Sequence, residues 1–226
     1  SEKQYILQNY DKLLIKQIAC NLRRSRTFVQ NFFIDNGLFI LPKKNGSYYI
    51  LKGEGYVDIP DITTPIEDYK SKLDFKLESS MVGDSEMQYL DFAYANSLIR
   101  TFMNDPSLVL TIRGRKYTPQ FSFNVGNYRL ETGSVQTEVD AGYEGKTSIV
   151  LIEAKNFSAS NVIIRQLYYP FRQWSENTTK EVYTVFFEKR VIENEKIFYL
   201  WQFKFTDIYD YNSIALVKSG RYRIKS

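Results

Sequence analysis

The sequence predicts a mixed α/β fold, in the α+β sense of a mixed central β-sheet flanked by helices. Apolar segments of strand length dominate the chain from about residue 108 onward. Segments with apolar residues at helical spacing lie before and between them. The chain has 226 residues, of which 43% are hydrophobic and 16% aromatic, so it can bury one large core or a core with a smaller lobe.

The first third of the chain predicts an N-terminal lobe of helices and a hairpin. A helical stretch is expected from Lys3 to about Asn36, with an interruption near the arginines. Asn45-Gly46 is a strong turn signal, and it predicts a hairpin with strands at 38–42 and 47–52. Residues 53–84 show no regular pattern. We therefore expect residues 1–82 to form the lobe and residues 83–226 to form the core.

The core segment predicts two helices and six strands. Asp84 or Ser85 would cap a helix at 85–103, and Ser158 or Ser160 would cap an amphipathic helix at 160–175. Pro170 should kink or split the second helix. The turn at Glu193-Asn194-Glu195 joins the last two strands. The strands are expected at 108–113, 120–125, 134–140, 148–154, 181–188 and 196–205.

The segment from Glu138 to Lys155 carries the most chemical information. Its apolar run Ile149–Ile152 is typical of a strand buried on both faces, and that strand ends in Glu153-Ala154-Lys155. Because side chains alternate along a strand, Glu153 and Lys155 must share a face. A hairpin would fold Asp140 back beside Glu153. Two carboxylates and a lysine in one place suit a hard divalent cation next to a phosphate.

Four acid-x-lysine patterns occur in the chain, so the choice of Glu153 and Lys155 depends on context. Asp68-Tyr69-Lys70 follows Pro60-Asp61, but the residues between contain Pro65 and no apolar run, which argues against a central strand. Asp74-Phe75-Lys76 has no strand before it, and Glu144-Gly145-Lys146 falls in the predicted turn. The alternative for Glu153 and Lys155 is a structural ion pair at a strand end, without a role in catalysis.

Asp140, Glu153, Ala154 and Lys155 resemble the motif of the PD-(D/E)xK nuclease superfamily, which includes most type II restriction endonucleases. The chain departs from the literal motif, because Val139 precedes Asp140 where the name has proline. The resemblance implies a restriction endonuclease-like core. It also implies Mg²⁺, with Mn²⁺ as a possible substitute, held by Asp140, Glu153 and the Ala154 carbonyl, with Lys155 orienting or activating the attacking water.

The same resemblance suggests further site residues. Family members often carry a glutamine on the following helix, and Gln166 matches that position; a solvated helix residue is the alternative. Glu86 is the candidate for an acid on the preceding helix, with Asp91 as fallback, although a helix dipole favours an acid in the first turn in any case. Glu138 shares the strand face of Asp140, so it is either a secondary metal ligand or a solvated charge.

Basic residues suggest where DNA would bind. The net charge of +4 is compatible with nucleic acid without being diagnostic. Arg165 and Arg172 are expected near the polar face of the second helix, where they could meet phosphates. Two dense clusters are either phosphate clamps or solvated faces: Arg23, Arg24 and Arg26, and Arg113, Arg115 and Lys116. The N-terminal lobe would either enter the major groove or serve as packing support.

Absences exclude several other chemistries. The chain has no histidine, which removes hydrolases and nucleases that need it as base or ligand. Its one cysteine, Cys20, cannot form an internal disulfide or a zinc site and is expected in the core. No phosphate-binding loop or dinucleotide fingerprint occurs, so no nucleotide cofactor is expected. No apolar run of membrane-span length occurs, and we expect a soluble, cytoplasmic protein of a prokaryote.

These observations favour a Mg²⁺-dependent endonuclease that cuts double-stranded DNA at a short sequence, and the resemblance suggests a homodimer. Two alternatives stay open. One is a repair or junction nuclease, or a nickase, of the same superfamily. The other is a non-catalytic DNA-binding or protein-interaction module.

Overall fold

The computed structural model describes Cys20, Arg23 and residues 26–225, apart from the side chains of Arg26, Thr27, Gln30, Ile34 and Met81. The fold is mixed α+β, as the sequence predicts, with a seven-stranded mixed sheet at its centre. In spatial order the strands of this sheet are β4 (Glu67–Lys70), β13 (Ile214–Lys225), β12 (Glu195–Phe205), β11 (Glu181–Ile192), β9 (Ser148–Lys155), β8 (Gln136–Glu144) and β5 (Val109–Tyr117).

Helices and small two-stranded sheets surround the central sheet. The described helices are α1 (Arg26–Asp35), α2 (Glu86–Ala95), α3 (Leu98–Met103) and α4 (Ile164–Ser175), with a 3₁₀ turn at Ser79–Met81. The small sheets pair β1 (Leu38–Lys44) with β2 (Ser47–Lys52), β3 (Tyr56–Asp58) with β10 (Asn161–Ile163), and β6 (Phe121–Val125) with β7 (Tyr128–Thr132).

Strand direction in the sheet follows from the connections. β8 and β9 are antiparallel neighbours joined by a short turn, and β11 and β12 are joined in the same way through Glu193 and Asn194. Both turn residues have positive φ, 49° and 66°, as a type I′ hairpin turn requires. β9 and β11 are parallel, and α4 lies in the crossover between them. This crossover places α4 next to the end of β9.

Two apolar clusters cover the two faces of the sheet. Alternate residues of β11 divide between them: Phe186 packs with α4, while Val185 and Phe187 pack with α2 and α3. Ile149–Ile152 of β9 are all buried, as expected for a central strand. Because Ala154 belongs to the α2 face, Glu153 and Lys155 project toward the α4 face.

Both predicted core helices begin or end differently from the sequence expectation. Ser85 caps α2 by accepting from the Gln88 amide at 3.2 Å, but the helix ends at Ala95. Asn96 donates its side-chain amide to the Phe92 carbonyl at 2.8 Å, and Ser97 adopts a φ of 65°, so α3 starts anew at Leu98. The continuous apolar pattern concealed this break.

The capping predicted for α4 was wrong. Residues 161–163 form β10, and neither Ser158 nor Ser160 caps the helix. The first helical amide, from Ile164, donates instead to the Gly55 carbonyl at 3.0 Å. A backbone partner from a distant segment therefore satisfies it. Pro170 lies inside α4, which continues to Ser175 and is not split.

Several elements were missed. Residues 53–84, expected to be irregular, contain β3, β4 and the 3₁₀ turn. β13, the longest missed strand, has hydrophobic residues at six of its twelve positions and only Gly220 is fully buried, so its apolar signal is weak. β7 was missed for the same reason, with only two of its five residues buried.

The predicted lobe is closely joined to the core. The expected hairpin forms as β1 and β2, and its Phe39, Leu41 and Leu51 belong to the apolar cluster that also contains α4 residues. β4 pairs in parallel with β13 as the edge strand of the central sheet. Residues assigned from sequence to the lobe thus contribute directly to the central sheet.

The structure describes only part of the N-terminal stretch that is expected to be helical. Of the helical stretch expected at 3–36, the structure describes Cys20, Arg23 and residues 26–36, of which Arg26–Asp35 form α1. Cys20 is exposed, so the prediction of a core position was wrong. The apolar clusters of the described residues do not include it.

Within the described residues, no helix combines the length and apolar character needed to cross a bilayer.

Candidate active site

Asp140 and Glu153 come together through the β8–β9 hairpin. The last paired residues of the hairpin are Ala141 and Ile152, which sets Asp140 opposite Glu153 just beyond them. Asp140 Oδ2 accepts a hydrogen bond of 2.8 Å from the Ala154 amide. The carboxyl of Asp140 is therefore fixed against the backbone between Glu153 and Lys155.

Glu153 is held by two side chains. Lys155 Nζ donates to Glu153 Oε1 at 2.6 Å, as expected for two residues on one face of a strand. Gln166 Nε2, from the first turn of α4, donates to the same oxygen at 2.5 Å. Lys155 Nζ also donates to the Ala154 carbonyl at 2.9 Å. Glu153 is 8% exposed, so these contacts fix a buried carboxyl.

The ionisation of these groups is strongly perturbed. Burial raises the pKa of Glu153 to about 7, with Asp140 and Glu86 adding to the rise and Lys155 opposing it. Burial also raises the pKa of Asp140, against the hydrogen bond from Ala154 and the charge of Lys155. Burial alone would lower the pKa of Lys155, but Glu153, Glu86 and Asp140 outweigh it and the net direction is upward. Such shifts are typical of functional sites.

These side chains line a cleft of about 440 Å³, which we call the acidic cleft and define by Glu86, Glu138, Asp140 and Glu153. Glu86, the first residue of α2, reaches it from the far face of the sheet because the helix begins at the strand ends. Asp91, the fallback, pairs with Arg113.

Glu138 and the second basic cluster form a strand-edge network beside the acidic cleft. Glu138 lines the cleft, and its carboxylate accepts from Arg115 at 3.3 Å, with both side chains largely exposed. Arg113 pairs with Asp91 and reaches the Asp140 carbonyl at 3.4 Å. Lys116 is exposed. The side chain of Arg113 is therefore occupied by contacts within the site. The side chains of Arg115 and Lys116 face solvent.

The arginines of α4 differ from each other. Arg165 lines the acidic cleft, and its Nε is buried without a hydrogen-bond partner among the described residues. Arg172 was expected to meet phosphates, and this prediction was wrong. It is 1% exposed and donates to the Ser122 carbonyl at 2.8 Å and to Glu176 at 2.9 Å. Its position on α4 turns it into the core.

The first basic cluster is described only in part. Arg23 lies in a turn and is exposed. Arg24 and the side chain of Arg26 fall outside the described residues.

The rejected acid-x-lysine patterns lie apart from the acidic cleft. Asp68 and Lys70 belong to β4, which is an edge strand with only Tyr69 buried, so the argument against a central strand there is confirmed. Asp68 pairs with Arg223 at 2.6 Å. Asp74 and Lys76 are exposed in an irregular segment, and Glu144 pairs with Lys180.

The donor set of the site suits a hard cation. Among the described residues there is no group of three or more His, Cys, Asp or Glu side chains placed to hold a metal ion. The set is two carboxylates, Asp140 and Glu153, and the Ala154 carbonyl, all oxygen donors of the kind Mg²⁺ takes. Both carboxyls have raised pKa values in one cleft, so an added positive charge would stabilise their ionised forms. Lys155 is the positive charge that contacts this set directly.

Sequence reasoning missed Glu188, which supports the site. Glu188 lies opposite Lys155 in the β9–β11 register and is fully buried. It accepts from the Ala159 amide at 2.8 Å and pairs with Arg190 at 2.6 Å. It thereby holds the segment that follows the motif. A charged residue directly after the apolar run Val185–Phe187 was the available signal.

Comparison with known proteins relates the chain to one family. Residues 51–223, more than half of the chain, match the family described as "Domain of unknown function (DUF6997)". No curated protein matches the chain, and no solved structure does. On the extent of the family match, the chain belongs to the DUF6997 family.

Proposed function

We propose that this protein is a Mg²⁺-dependent DNA endonuclease with a restriction endonuclease-like core, acting on double-stranded DNA. The observation that carries the proposal is the convergence of Asp140, Glu153 and Lys155 at the point where the pairing of β8 with β9 ends. The order strand, hairpin, strand, helix around them is the order that the resemblance to the PD-(D/E)xK superfamily implies.

Each residue has a distinct role in the proposed reaction. Asp140, Glu153 and the Ala154 carbonyl would hold the cation, which when bound polarises a phosphate and lowers the pKa of a bound water. Lys155 stabilises the negative charge that develops on the phosphate and orients the attacking water. Gln166 fixes the rotamer of Glu153, and the Ala154 amide fixes that of Asp140. Glu86 adds negative charge at the same cleft.

DNA would approach over the rim of the acidic cleft. Arg115 and Lys116 are exposed on the last residues of β5, beside Glu138, where they suit backbone phosphates. Arg165 lines the cleft itself. The proposal includes restriction at a short sequence and a homodimer that cuts both strands. Gel filtration with and without DNA tests whether the protein is a dimer.

Plasmid digestion with Mg²⁺ or Mn²⁺ tests the activity. Asp140→Ala and Lys155→Ala should each reduce cleavage by about 100-fold or more, because each removes charge from the reacting centre. Asp74→Ala and Lys76→Ala are matched controls, since they alter an acid-x-lysine pattern that is exposed and outside the cleft. Equal digestion by all four variants would remove the site assignment.

Cleavage and binding experiments distinguish this proposal from two alternatives, a repair or junction nuclease and a non-catalytic module. Cleavage confined to branched or mismatched DNA would favour a repair or junction nuclease. DNA binding without cleavage, and without heat of Mg²⁺ or Mn²⁺ binding in calorimetry, would favour a non-catalytic module.

A further inference from the structure

A second, larger cleft adjoins the acidic cleft. It has a volume of about 750 Å³ and lies between the β1–β2 hairpin and the start of α4. We call it the aromatic cleft and define it by Tyr48, Tyr56, Phe157, Lys44 and Arg165. The two clefts share Gln136, Lys155, Arg165 and Gln166, so they meet at the proposed reacting centre.

The two clefts carry opposite charge. Lys44, Lys155 and Arg165 line the aromatic cleft, and none of the described residues around it is Asp or Glu. The acidic cleft is lined by the same Lys155 and Arg165 and, in addition, by four carboxylates, which outnumber them. The Nε of Arg165, which has no hydrogen-bond partner among the described residues, lies at the junction. A ligand that is anionic at the end nearest Lys155 matches this distribution.

Aromatic rings and an apolar floor make up the rest of the aromatic cleft. Phe157, two residues after Lys155, is 56% exposed, which is unusual for a phenylalanine next to a buried strand. Tyr48 and Tyr56 are half-buried on the walls. The buried side chains of Phe39 and Phe186 form part of the floor. Rings of this kind provide stacking surfaces for a flat, uncharged group.

The hairpin wall is fixed to the core. Tyr169, which lines the acidic cleft, donates to the Pro42 carbonyl at 2.9 Å. Thr132 donates to the same carbonyl at 2.9 Å, and the Gly133 amide donates to the Lys43 carbonyl at 3.1 Å. The opposite wall is held by the pairing of β10 with β3. Both walls of the aromatic cleft are therefore held in place by hydrogen bonds to other parts of the fold.

We propose that the aromatic cleft receives one unpaired nucleotide of the DNA strand whose phosphate lies at the acidic cleft. The base would stack on Phe157 and the tyrosines, and the adjoining phosphate would meet Lys155 and Arg165. This inference rests on the proposed nuclease function and specifies its substrate. DNA with an unpaired or extruded nucleotide is the substrate class that fits.

A paired base does not fit this geometry. Inside a duplex the faces of a base are covered by its neighbours in the stack, so rings in a recess cannot reach them unless the base leaves the helix. That step costs least where the nucleotide is already unpaired. The volume of about 750 Å³ lies in the range of pockets that enclose small organic groups, roughly 300–1,000 Å³.

Equilibrium binding in EDTA tests the inference without any cleavage. Fluorescence anisotropy would compare a dye-labelled duplex carrying a single-nucleotide bulge with the fully paired duplex of the same sequence. We expect the bulged duplex to bind at least about fivefold more tightly, the effect of one base stack. Phe157→Ala should remove this preference, with a loss of about 5- to 100-fold for the bulged probe alone.

Matched controls come from one exposed segment outside both clefts. Phe75→Ala alters a phenylalanine that is 62% exposed, and Lys76→Ala is the counterpart of Lys44→Ala. Lys44→Ala should weaken binding of the bulged probe, and both controls should bind as wild type. Because Phe157 and Lys44 are exposed, we expect all four variants to keep the wild-type melting temperature.

The outcomes separate this inference from the proposed function. Equal affinity for both probes, or equal effects of Phe157→Ala and Phe75→Ala, would overturn the inference, and Mg²⁺-dependent plasmid cleavage would then still support the nuclease. Absence of binding to either probe, together with absence of cleavage, would overturn both. Preference for the bulge that depends on Phe157, with cleavage next to the bulge, supports both.

Discussion

Gln166 and Glu153 lie on different elements, α4 and β9, and are joined by a hydrogen bond of 2.5 Å from Nε2 to Oε1. The same oxygen accepts from Lys155. The carboxylate of Glu153 therefore has one orientation, set by a helix that packs across the end of its strand. Hydrogen bonds that orient a metal-ligating carboxylate tune the affinity of the site.

Gln166→Ala should weaken metal binding without unfolding the protein. Loss of the orienting amide is expected to reduce Mn²⁺ affinity and the cleavage rate by about 10- to 100-fold. Isothermal titration calorimetry measures the first and single-turnover digestion the second. Gln120→Ala, which alters an exposed glutamine bonded to Glu131, is the control. Wild-type affinity in Gln166→Ala would leave the amide without a role in the site.

Asp140→Asn should abolish Mg²⁺ and Mn²⁺ binding. The change is nearly isosteric and retains an oxygen that can accept from the Ala154 amide, but it removes one of the two anionic donors. Calorimetry of the purified variant measures the result, with Asp74→Asn as the exposed control. Unchanged heats of binding for Asp140→Asn would place any cation elsewhere on the chain.

The raised pKa of Glu153 predicts a pH-dependent loss of stability. Its pKa is about 7 in the fold against 4.5 for an unperturbed glutamate, so the folded state binds the proton more tightly. Stability from this group is complete below about pH 4.5 and is lost as the pH rises through about 7. A pKa difference of this size corresponds to a loss of about 3 kcal/mol.

Glu153→Gln should remove that part of the pH dependence. At pH 8 without metal, its melting temperature should exceed that of the wild type by about 5–10 °C. The difference should shrink toward pH 4.5. Thermal unfolding followed by circular dichroism at several pH values is the measurement, and Glu78→Gln, an exposed position, is the control. A wild type as stable at pH 8 as Glu153→Gln would contradict the raised pKa.

Glu188→Ala should destabilise the fold strongly. The carboxyl of Glu188 is fully buried between Arg190 and the Ala159 amide, and its removal leaves both donors without that partner. The expected cost is about 3 kcal/mol in unfolding free energy, measured by urea denaturation. Glu188→Gln, which keeps an acceptor for Ala159, should lose less. Glu138→Ala breaks the exposed pair with Arg115 and should cost less than about 1 kcal/mol.

Local patterns explain which structural predictions succeeded. The central strand β9, its hairpin with β8 and the β1–β2 turn depend on residues close in sequence, so alternation and turn chemistry predict them. The break between α2 and α3 depends on the side chain of Asn96, which the apolar spacing conceals. β4 and β13 are stabilised mainly by their neighbours in the sheet, including the pair of Asp68 with Arg223, and so lack a strong signal of their own.

The sequence by itself determined that Glu153 and Lys155 share a face and that Asp140 returns beside them, because both follow from strand alternation and a short hairpin. Only the tertiary structure decided that Gln166 contacts Glu153, that Glu86 reaches the same cleft and that Arg172 is buried. It also decided that the distant β1–β2 hairpin forms one wall of the aromatic cleft. The physical reason is range: these contacts depend on how helices and hairpins pack on the sheet, and that packing is set by apolar residues far apart in the chain.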